Sequence, residues 1–481
     1  MLSIVILFDL RTPPDFEVQC TNNRANRAPD GTEHQEAYKT YDRLSALDDA
    51  HARVAPYAHH LRVLLANRDD LLKFQQLCHI AQGNFRPVRV SYVNALPQGF
   101  FSNQYIRDVY RWIRTMDWKN AFQIEAYLRC GLLNTHDLLF SLQKPIESVI
   151  RDYGDDASEV LRIFSIALRM RNMGEKPSAC LARVRTEHPV QTIKPLEVPH
   201  GRFLCHHIVI TPTRILLEGP YTTQSNRVIR HYQNHDPSLA ERFVRIEFRE
   251  EDKLAYRWDG DVDRSWFLRH RVGGILRDGF ELGGRLFEFL AYSMSTLHEH
   301  AMWFVAPFRD PVEGYVNAEI IRASLGDFSF LGRTPSKYAA RIAQAFTATE
   351  PSVKIRRDQW EEQEDLGPHT DGVGTISPEL ADMIWDGNCR ATGNPRENYL
   401  KPSAYEFLFL GYKGVVVVDH RLEGIKLRLR RSQRKFPVHD DEVAEFEIVR
   451  SFNHPDPAYL NRSVVPLRHS MIAAHLSDLG R

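Results

Sequence analysis

The residues Thr370-Asp371-Gly372-Val373-Gly374-Thr375-Ile376-Ser377-Pro378-Glu379 decide how the rest of the chain is interpreted. Two glycines flank one valine beside an acidic residue, so the backbone can adopt positive φ and admit a close neighbour. Ser377 and Pro378 stand where a helix N-cap and the first helical position would lie. The stretch therefore predicts a strand, a tight turn and the start of a helix.

A second stretch, residues 402–419, predicts a hairpin. The apolar run 407–410 is followed by Gly411-Tyr412-Lys413-Gly414 and then by four valines that end at Asp419. Aromatic and β-branched runs around glycine are typical of hairpins. The pattern places Lys413 at the tip of the turn, as a fixed cation that can bind phosphate.

These residues resemble the cellular RNA-dependent RNA polymerases of eukaryotic RNA silencing. In that family a Thr-Asp-Gly-Val-Gly-like turn precedes a Pro-Ser-Ala segment and a Lys-Gly-Val-Val hairpin, as in residues 370–374, 402–404 and 413–416 here. Three further segments fit the family in the same order, at residues 283–293, 339–346 and 459–462. The resemblance covers roughly residues 40–481.

The resemblance implies an α+β fold, in which a helical N-terminal region precedes a β-rich region containing the first of two double-psi β-barrels. The expected divisions are a leader at 1–40, helices at 41–190, a mixed region at 200–330 and the first barrel at 331–481. The leader is expected to be a strand or a poorly ordered loop, because residues 12–40 contain Pro13-Pro14 and few apolar residues.

The resemblance further implies RNA-directed RNA synthesis on a single-stranded RNA template from nucleoside triphosphates, with silencing-machinery proteins as partners. The family holds catalytic Mg²⁺ with an aspartate cluster that follows the Lys-Gly-Val-Val hairpin. We expect this cluster beyond Arg481, so that the chain alone binds no Mg²⁺ and is inactive. The alternative is a catalytically inactive protein of the same family that binds single-stranded RNA.

Asp259-Gly260-Asp261 looks similar to the family's metal-binding cluster, but it precedes Lys413 by about 150 residues instead of following it. The order is wrong for a catalytic site. We predict an ordinary hairpin turn there, flanked by Trp258 and Trp266.

The composition is ordinary for a soluble globular protein, and the resemblance implies an intracellular location, nuclear or cytoplasmic. Of 481 residues, 43% are hydrophobic and 26% charged, and no apolar run approaches the length of a membrane span. The six cysteines contain no C-x-x-C pair, and no histidine lies at a spacing from them that suits zinc. Because the formal net charge is zero, nucleic-acid contacts must come from local basic patches.

The first such patch is Arg333, Lys337 and Arg341, at the start of a helix predicted from Thr334 as N-cap and Pro335 as first residue. Three aligned cations beside the positive end of the helix dipole repel one another unless an anion is near. This arrangement favours phosphate binding over a plain solvated face.

The second patch is Lys426, Arg428 and Arg430, which alternate with two leucines and lie in the most basic part of the chain. Period-two alternation places the three cations on one face of a strand, where a polyanion could lie. The alternative is an edge strand protected by charge. We favour RNA binding here, and add Lys413 and Asp371 as further candidates for contact with substrate or template.

The remaining pattern predicts elements of both kinds. Helices are expected from Ser45 through Leu61, Leu64 and Leu65, over 102–170, and from about Ser295. Strands are expected at 203–210, at 243–248 and after Gly283, and a loop is expected between Glu361 and Asp371.

Overall fold

A computed structural model of the chain describes residues 2–7, 17–27, 33–43, 60–65, 103–133, 137–171, 175–193, 201–211, 215–250, 267–292, 300–392, 400–437 and 443–452, with a few isolated residues between them. The chain divides into two compact units, residues 1–348 and 349–481. Each unit contains both helices and sheets, so the predicted α+β class is confirmed.

Four strands form two antiparallel pairs at the start of the first unit. β1 (Leu2–Leu7) pairs with β4 (His60–Leu65), and β2 (Glu17–Arg27) pairs with β3 (Glu33–Arg43). Of the two alternatives expected for the leader, a strand or a poorly ordered loop, the structure shows strands, because inter-strand backbone hydrogen bonds form without apolar side chains. The helix expected through Leu61, Leu64 and Leu65 is wrong. A short apolar run is compatible with both helical and strand periodicity, and here the segment forms a strand because it pairs with β1.

Five α-helices follow in the described range 103–193; four of them lie within 102–170 and confirm the predicted helical block, and the fifth comes after it. Their bounds are α1 Asn103–Ile113, α2 Trp118–Arg129, α3 Gln143–Tyr153, α4 Ala157–Met170 and α5 Pro177–Glu187. These helices share one buried core, which includes Val109, Ile124, Tyr127, Val160 and Phe164.

A six-stranded sheet lies beyond these helices. Its strands are β5 Arg202–Ile210, β6 Ile215–Gln224, β7 Phe243–Phe248, β8 Phe280–Leu282, β9 Arg285–Tyr292 and β10 Ala301–Val305, in the order β6-β5-β7-β10-β9-β8. The strands predicted at 203–210, at 243–248 and after Gly283 are confirmed. The helix expected from about Ser295 is wrong where the chain is described, because residues 301–305 pair with β7 and β9.

Helices and a short ribbon complete the first unit. The helices are α6 Arg227–His235, α7 Gly273–Asp278, α8 Ala318–Ser324 and α9 Pro335–Ala345, and the ribbon joins β11 Phe308–Asp310 to β12 Gly314–Val316. α9 begins at Pro335 after the N-cap Thr334, as the sequence predicted.

The second unit is one seven-stranded sheet with one described helix. The strands are β13 Glu350–Arg356, β14 Trp360–Gln363, β15 Val373–Ile376, β16 Ala404–Phe409, β17 Tyr412–Val418, β18 Leu427–Arg430 and β19 Val443–Phe452, in the order β13-β19-β16-β17-β15-β18-β14, and the helix is α10, Pro378–Thr392. Two neighbouring pairs are parallel, β14 with β18 and β15 with β17.

The decisive stretch forms the predicted elements. β15 precedes α10, and the buried Ser377 caps the helix because its Oγ accepts the Leu380 N–H at 3.2 Å. The loop expected between Glu361 and Asp371 is wrong over residues 361–363, which form most of β14. This acidic segment is held as a strand because it pairs with the basic strand β18.

The seven-stranded sheet curls. Although β18 and β15 lie between β14 and β17, the Trp360 ring of β14 is 5.7 Å from the Tyr412 ring of β17. The Tyr412 hydroxyl also donates to Glu362 at 2.7 Å. The interior is apolar and includes Ile376, Phe407, Val416 and Leu427.

Candidate functional site

Asp371 and Gly372 form a tight turn at the entrance to β15. Asp371 has φ −58° and ψ 116° and Gly372 has φ +74°, the combination of a type II turn that favours glycine at its second central position. The Gly372 N–H donates to Ser432 Oγ at 2.9 Å, and its carbonyl accepts from Val415 N–H at 3.0 Å. The turn is thus held from two directions, and the predicted positive φ is confirmed.

Gln433 is the side chain that fixes this region, and the sequence analysis missed it. It is fully buried, donates to the carbonyls of Gly372 at 3.2 Å and Val415 at 3.0 Å, and accepts the Arg430 N–H at 2.7 Å. A Cβ on Gly374 or Gly414 would lie 2.8 Å from its amide. The close neighbour predicted for the glycines is therefore this amide and the backbone beside it.

Lys413 lies on β17, not at the tip of the hairpin as predicted. Phe409 pairs with Tyr412, so the turn is Leu410-Gly411, and Lys413 pairs with Leu408 one residue inside the strand. The prediction failed because residues with φ > 0 are not always glycines, and here Leu410 adopts φ +48°.

Lys413 is half-buried, and in the described part of the chain its ammonium has no hydrogen-bond or ion-pair partner. The parallel register, Val373 with Val415, places Asp371 and Lys413 at the same end of β15 and β17. These two residues are not ion-paired, and Asp371 is exposed. The structure therefore places Lys413 on a strand next to the turn at Asp371-Gly372.

The α9 cations, Arg333, Lys337 and Arg341, follow one side of the start of α9. Arg333 and Lys337 are exposed and Arg341 is half-buried. None of the three has an acidic partner among the residues that the structure describes. Their role in phosphate binding stays a prediction, and no described acidic side chain neutralises their charges.

The β18 cations, Lys426, Arg428 and Arg430, differ because two of them bind the neighbouring strand. Arg428 Nε donates to Glu361 at 2.6 Å, and Arg430, 9% exposed, donates to the carbonyl of Glu364 at 3.0 Å. β18 lies between β15 and β14, so it is not the edge strand of the alternative explanation. Contact between these cations and RNA stays a prediction, and their pairing favours a role of the charges in the fold.

Asp419, which directly follows the valine strand β17, is hydrogen-bonded to its near neighbour Arg421. Its carboxylate accepts from the Arg421 side chain at 2.9 and 3.0 Å and from the Arg421 N–H at 3.1 Å. These hydrogen bonds lower the pKa of Asp419 to about 2. The carboxylate is thus ionised over the whole physiological range and oriented by its own loop.

The donor set of the described residues does not fit the Mg²⁺ that the family resemblance implies. Mg²⁺ prefers six oxygen ligands, whereas the one cluster of three potential metal ligands in the described ranges holds two histidines and one glutamate. Asp259-Gly260-Asp261 and residues 459–462 lie outside the described residues. The described residues therefore supply no oxygen site for Mg²⁺.

No helix in the described ranges has the length and apolar character needed to cross a membrane.

Comparison with known proteins agrees with the motifs. The family model described as RNA dependent RNA polymerase matches residues 210–471, more than half of the chain. RNA-dependent RNA polymerase 1 of Arabidopsis thaliana is 33% identical over 285 residues, covering 56% of this chain and 24% of that protein. The probable RNA-dependent RNA polymerase SHL2 of Oryza sativa subsp. japonica is 30% identical over 380 residues, covering 73% of this chain and 28% of that protein.

Among solved structures, the RNA dependent RNA polymerase QDE-1 from Thielavia terrestris matches with a TM-score of 0.48 and 17% identity, over 74% of this chain and 38% of that one. The chain spans about a quarter of the length of the curated relatives given above. By the match of the family model to more than half of its residues, the chain belongs to the eukaryotic RNA-dependent RNA polymerase family that its motifs resemble.

Proposed function

We propose that this chain takes part in RNA-directed synthesis of RNA on a single-stranded template, in gene silencing, by binding the phosphates of template or nucleotide. The observation that carries the proposal is the environment of Lys413. Lys413 is half-buried, lies on a strand clamped by Gln433, and has no partner among the described residues, so its charge is available to bind an anion. A phosphate group is such an anion.

The α9 cations support the same function from the first unit. Three cations near the positive end of a helix, with no acidic partner in the described ranges, attract a phosphate backbone. Phosphate contacts position a strand without selecting its sequence. We therefore propose that single-stranded RNA binds without sequence preference.

We also propose that the seven-stranded sheet is the first double-psi β-barrel. Its curl and its two parallel pairs, β14 with β18 and β15 with β17, support this assignment. Nucleoside triphosphates and silencing proteins would be the other partners, and the location would be intracellular, nuclear or cytoplasmic. Mg²⁺ would be bound by carboxylates other than those described.

The experiment is binding of a fluorescent single-stranded RNA of about 20 nucleotides to the purified chain, followed by anisotropy at several salt concentrations. If about four to six phosphates are neutralised, log K should fall against log salt with a slope of roughly −3 to −4, at about 0.7 per contact. EDTA should leave this binding unchanged. A salt-independent signal, or no binding at low salt, contradicts the proposal.

The alternative, an RNA-binding protein without catalysis, is favoured by one observation. The described carboxylates do not form an oxygen site for Mg²⁺. Incorporation of labelled nucleotides on the same RNA, with Mg²⁺, separates the two functions. Template-dependent incorporation by the chain excludes the alternative, whereas binding without incorporation, even in a chimera with further segments of a relative, supports it.

A further inference from the structure

His231 and His235 lie four residues apart on α6, and Glu313 lies in the turn of the β11–β12 ribbon. One ligand atom from each of the three side chains lies within 4.8 Å of the other two. The His231 Nε2 atom is 2.5 Å from the Glu313 carboxylate, and the two imidazole ring centroids are 4.6 Å apart. Two imidazoles one helical turn apart and a facing carboxylate form a common ligand set for zinc.

Asp310 orients one of the two histidines. His235 Nδ1 lies 3.0 Å from the Asp310 carboxylate, which is 2% exposed. With Nδ1–H donating to Asp310, the Nε2 lone pair of His235 is free to bind a cation. Histidine ligands of metal ions typically donate their other N–H to such a carboxylate.

Asp310 is itself fixed by the backbone of the ribbon turn. Its Oδ1 accepts the Val312 N–H at 2.8 Å and the Glu313 N–H at 2.7 Å. The same carboxylate thus shapes the turn that carries Glu313 and sets the tautomer of His235. One buried group prepares two of the three ligands.

We propose that His231, His235 and Glu313 bind a divalent transition-metal cation of the zinc class, with Asp310 positioning His235. Two neutral imidazoles and one carboxylate leave the fourth tetrahedral position for water. Mg²⁺ does not suit this set, because it prefers oxygen ligands, so the site is separate from any metal used in polymerisation.

The geometry requires a small rearrangement. Zinc bonds of about 2.0–2.2 Å place tetrahedral ligand atoms roughly 3.3 Å apart. His231 Nε2 and the Glu313 carboxylate, now 2.5 Å apart, must separate, and the other ligand atoms, which lie within 4.8 Å, must approach. His231 and Glu313 are exposed and can rotate. The backbone beneath them is fixed, because the Tyr232 ring packs 5.1 Å from Phe308 and 6.0 Å from Phe243.

Titration of the metal-free full chain with Co²⁺, and displacement by Zn²⁺, tests the site. We expect one equivalent of Co²⁺ to produce visible d–d absorption, and we expect Zn²⁺ to abolish it. His231→Gln and Glu313→Gln should each weaken Zn²⁺ binding at least tenfold. His420→Gln, at an exposed histidine of the second unit, should leave the affinity unchanged.

Two outcomes overturn the proposal: absence of saturable binding below about 100 µM metal, or variants with wild-type affinity. The exposed pair would then be a plain ion pair. If a variant fails to fold, X-ray absorption of the Zn²⁺-loaded wild type decides. A ligand shell with two imidazoles and a carboxylate supports the site, and a sulfur-containing or all-oxygen shell excludes it.

Discussion

At the scale of single residues, the glycines near β15 and β17 in the second unit leave room for the side chain of Gln433. Gly374 and Gly414 leave space that the Gln433 amide occupies, and this amide bonds the backbone of three segments. The same backbone carries Lys413 and Asp371. The position of the Lys413 backbone therefore depends on the buried Gln433 side chain.

Replacing Lys413 by alanine is predicted to remove phosphate binding while leaving the fold intact. The ammonium makes no bond to the described residues, so its loss should cost little stability. In a chimera of the chain with further segments of a relative that is active as a polymerase, activity should fall by at least tenfold, because one charge-assisted contact contributes about 1.5–3 kcal/mol.

The measurements are nucleotide incorporation and RNA affinity of Lys413→Ala beside Lys354→Ala, which removes an exposed lysine of β13 in the same unit. Wild-type turnover by Lys413→Ala would refute the assigned role. Equal losses in both variants would show a general charge effect.

Replacing Gln433 is predicted to destabilise the second unit. Gln433→Ala leaves the buried Arg430 N–H and two carbonyls without this partner, and should lower the free energy of unfolding by about 2–4 kcal/mol. Gln433→Met fills the space without bonding, so it should recover only part of the loss. Urea denaturation measures the free energy of unfolding of both variants. An unchanged free energy of unfolding in Gln433→Ala would contradict the proposed role of Gln433 in holding the turn.

At the scale of elements, the two basic patches have different surroundings. The β18 cations face the acidic strand β14, which lies beside them in parallel register, Glu361 with Arg428. The α9 cations have no acidic partner in the described part of the chain. Sequence spacing alone ranked both as RNA-binding candidates, whereas the structure separates them by what lies opposite.

Two triple variants test this difference. Arg333→Ser with Lys337→Ser and Arg341→Ser should reduce the salt slope of RNA binding by about two units, with little change in melting temperature. The same change of Lys426, Arg428 and Arg430 should lower the melting temperature and leave the slope nearly unchanged. The reverse pattern of results would assign RNA contact to β18.

At the scale of the whole molecule, the chain has a formal net charge of zero, so its behaviour depends on where charges are buried or exposed. His206 is 3% exposed, with its ring 4.5 Å from the rings of Trp118 and Phe122. Burial, assisted by nearby cations, lowers the pKa of His206 to about 3. Burial likewise lowers the pKa of His207 to about 4.

Acid is therefore predicted to destabilise the first unit. Between pH 6.5 and about 3 the unfolded chain binds a proton at His206 that the folded chain does not, so stability falls as pH falls. Each such histidine contributes up to about 1.4 kcal/mol per pH unit. His206→Phe should flatten the dependence of unfolding free energy on pH from 6.5 to 4.5, and His420→Gln should not. An unchanged slope in His206→Phe would contradict the buried neutral imidazole.

The sequence by itself determined the features that depend on local chemistry. The glycine turn at Gly372, the cap at Ser377, the hairpin of β16 and β17, the start of α9 and the helical block over 102–170 all follow from residue type and spacing. Backbone sterics, capping and apolar periodicity act within a few residues, so their effects can be predicted from the sequence.

Only the tertiary structure decided the features that join distant segments. Gln433 meets Gly372 across 61 residues, Arg428 meets Glu361 across 67, and His231 meets Glu313 across 82. The spacing of His231 and His235 was visible in the chain, but its meaning required the carboxylates of the ribbon opposite. Strand pairing also overrode the predicted helix at β4. Whether a charge is available to a ligand depends on the group that packs against it, and packing partners are set by the whole fold.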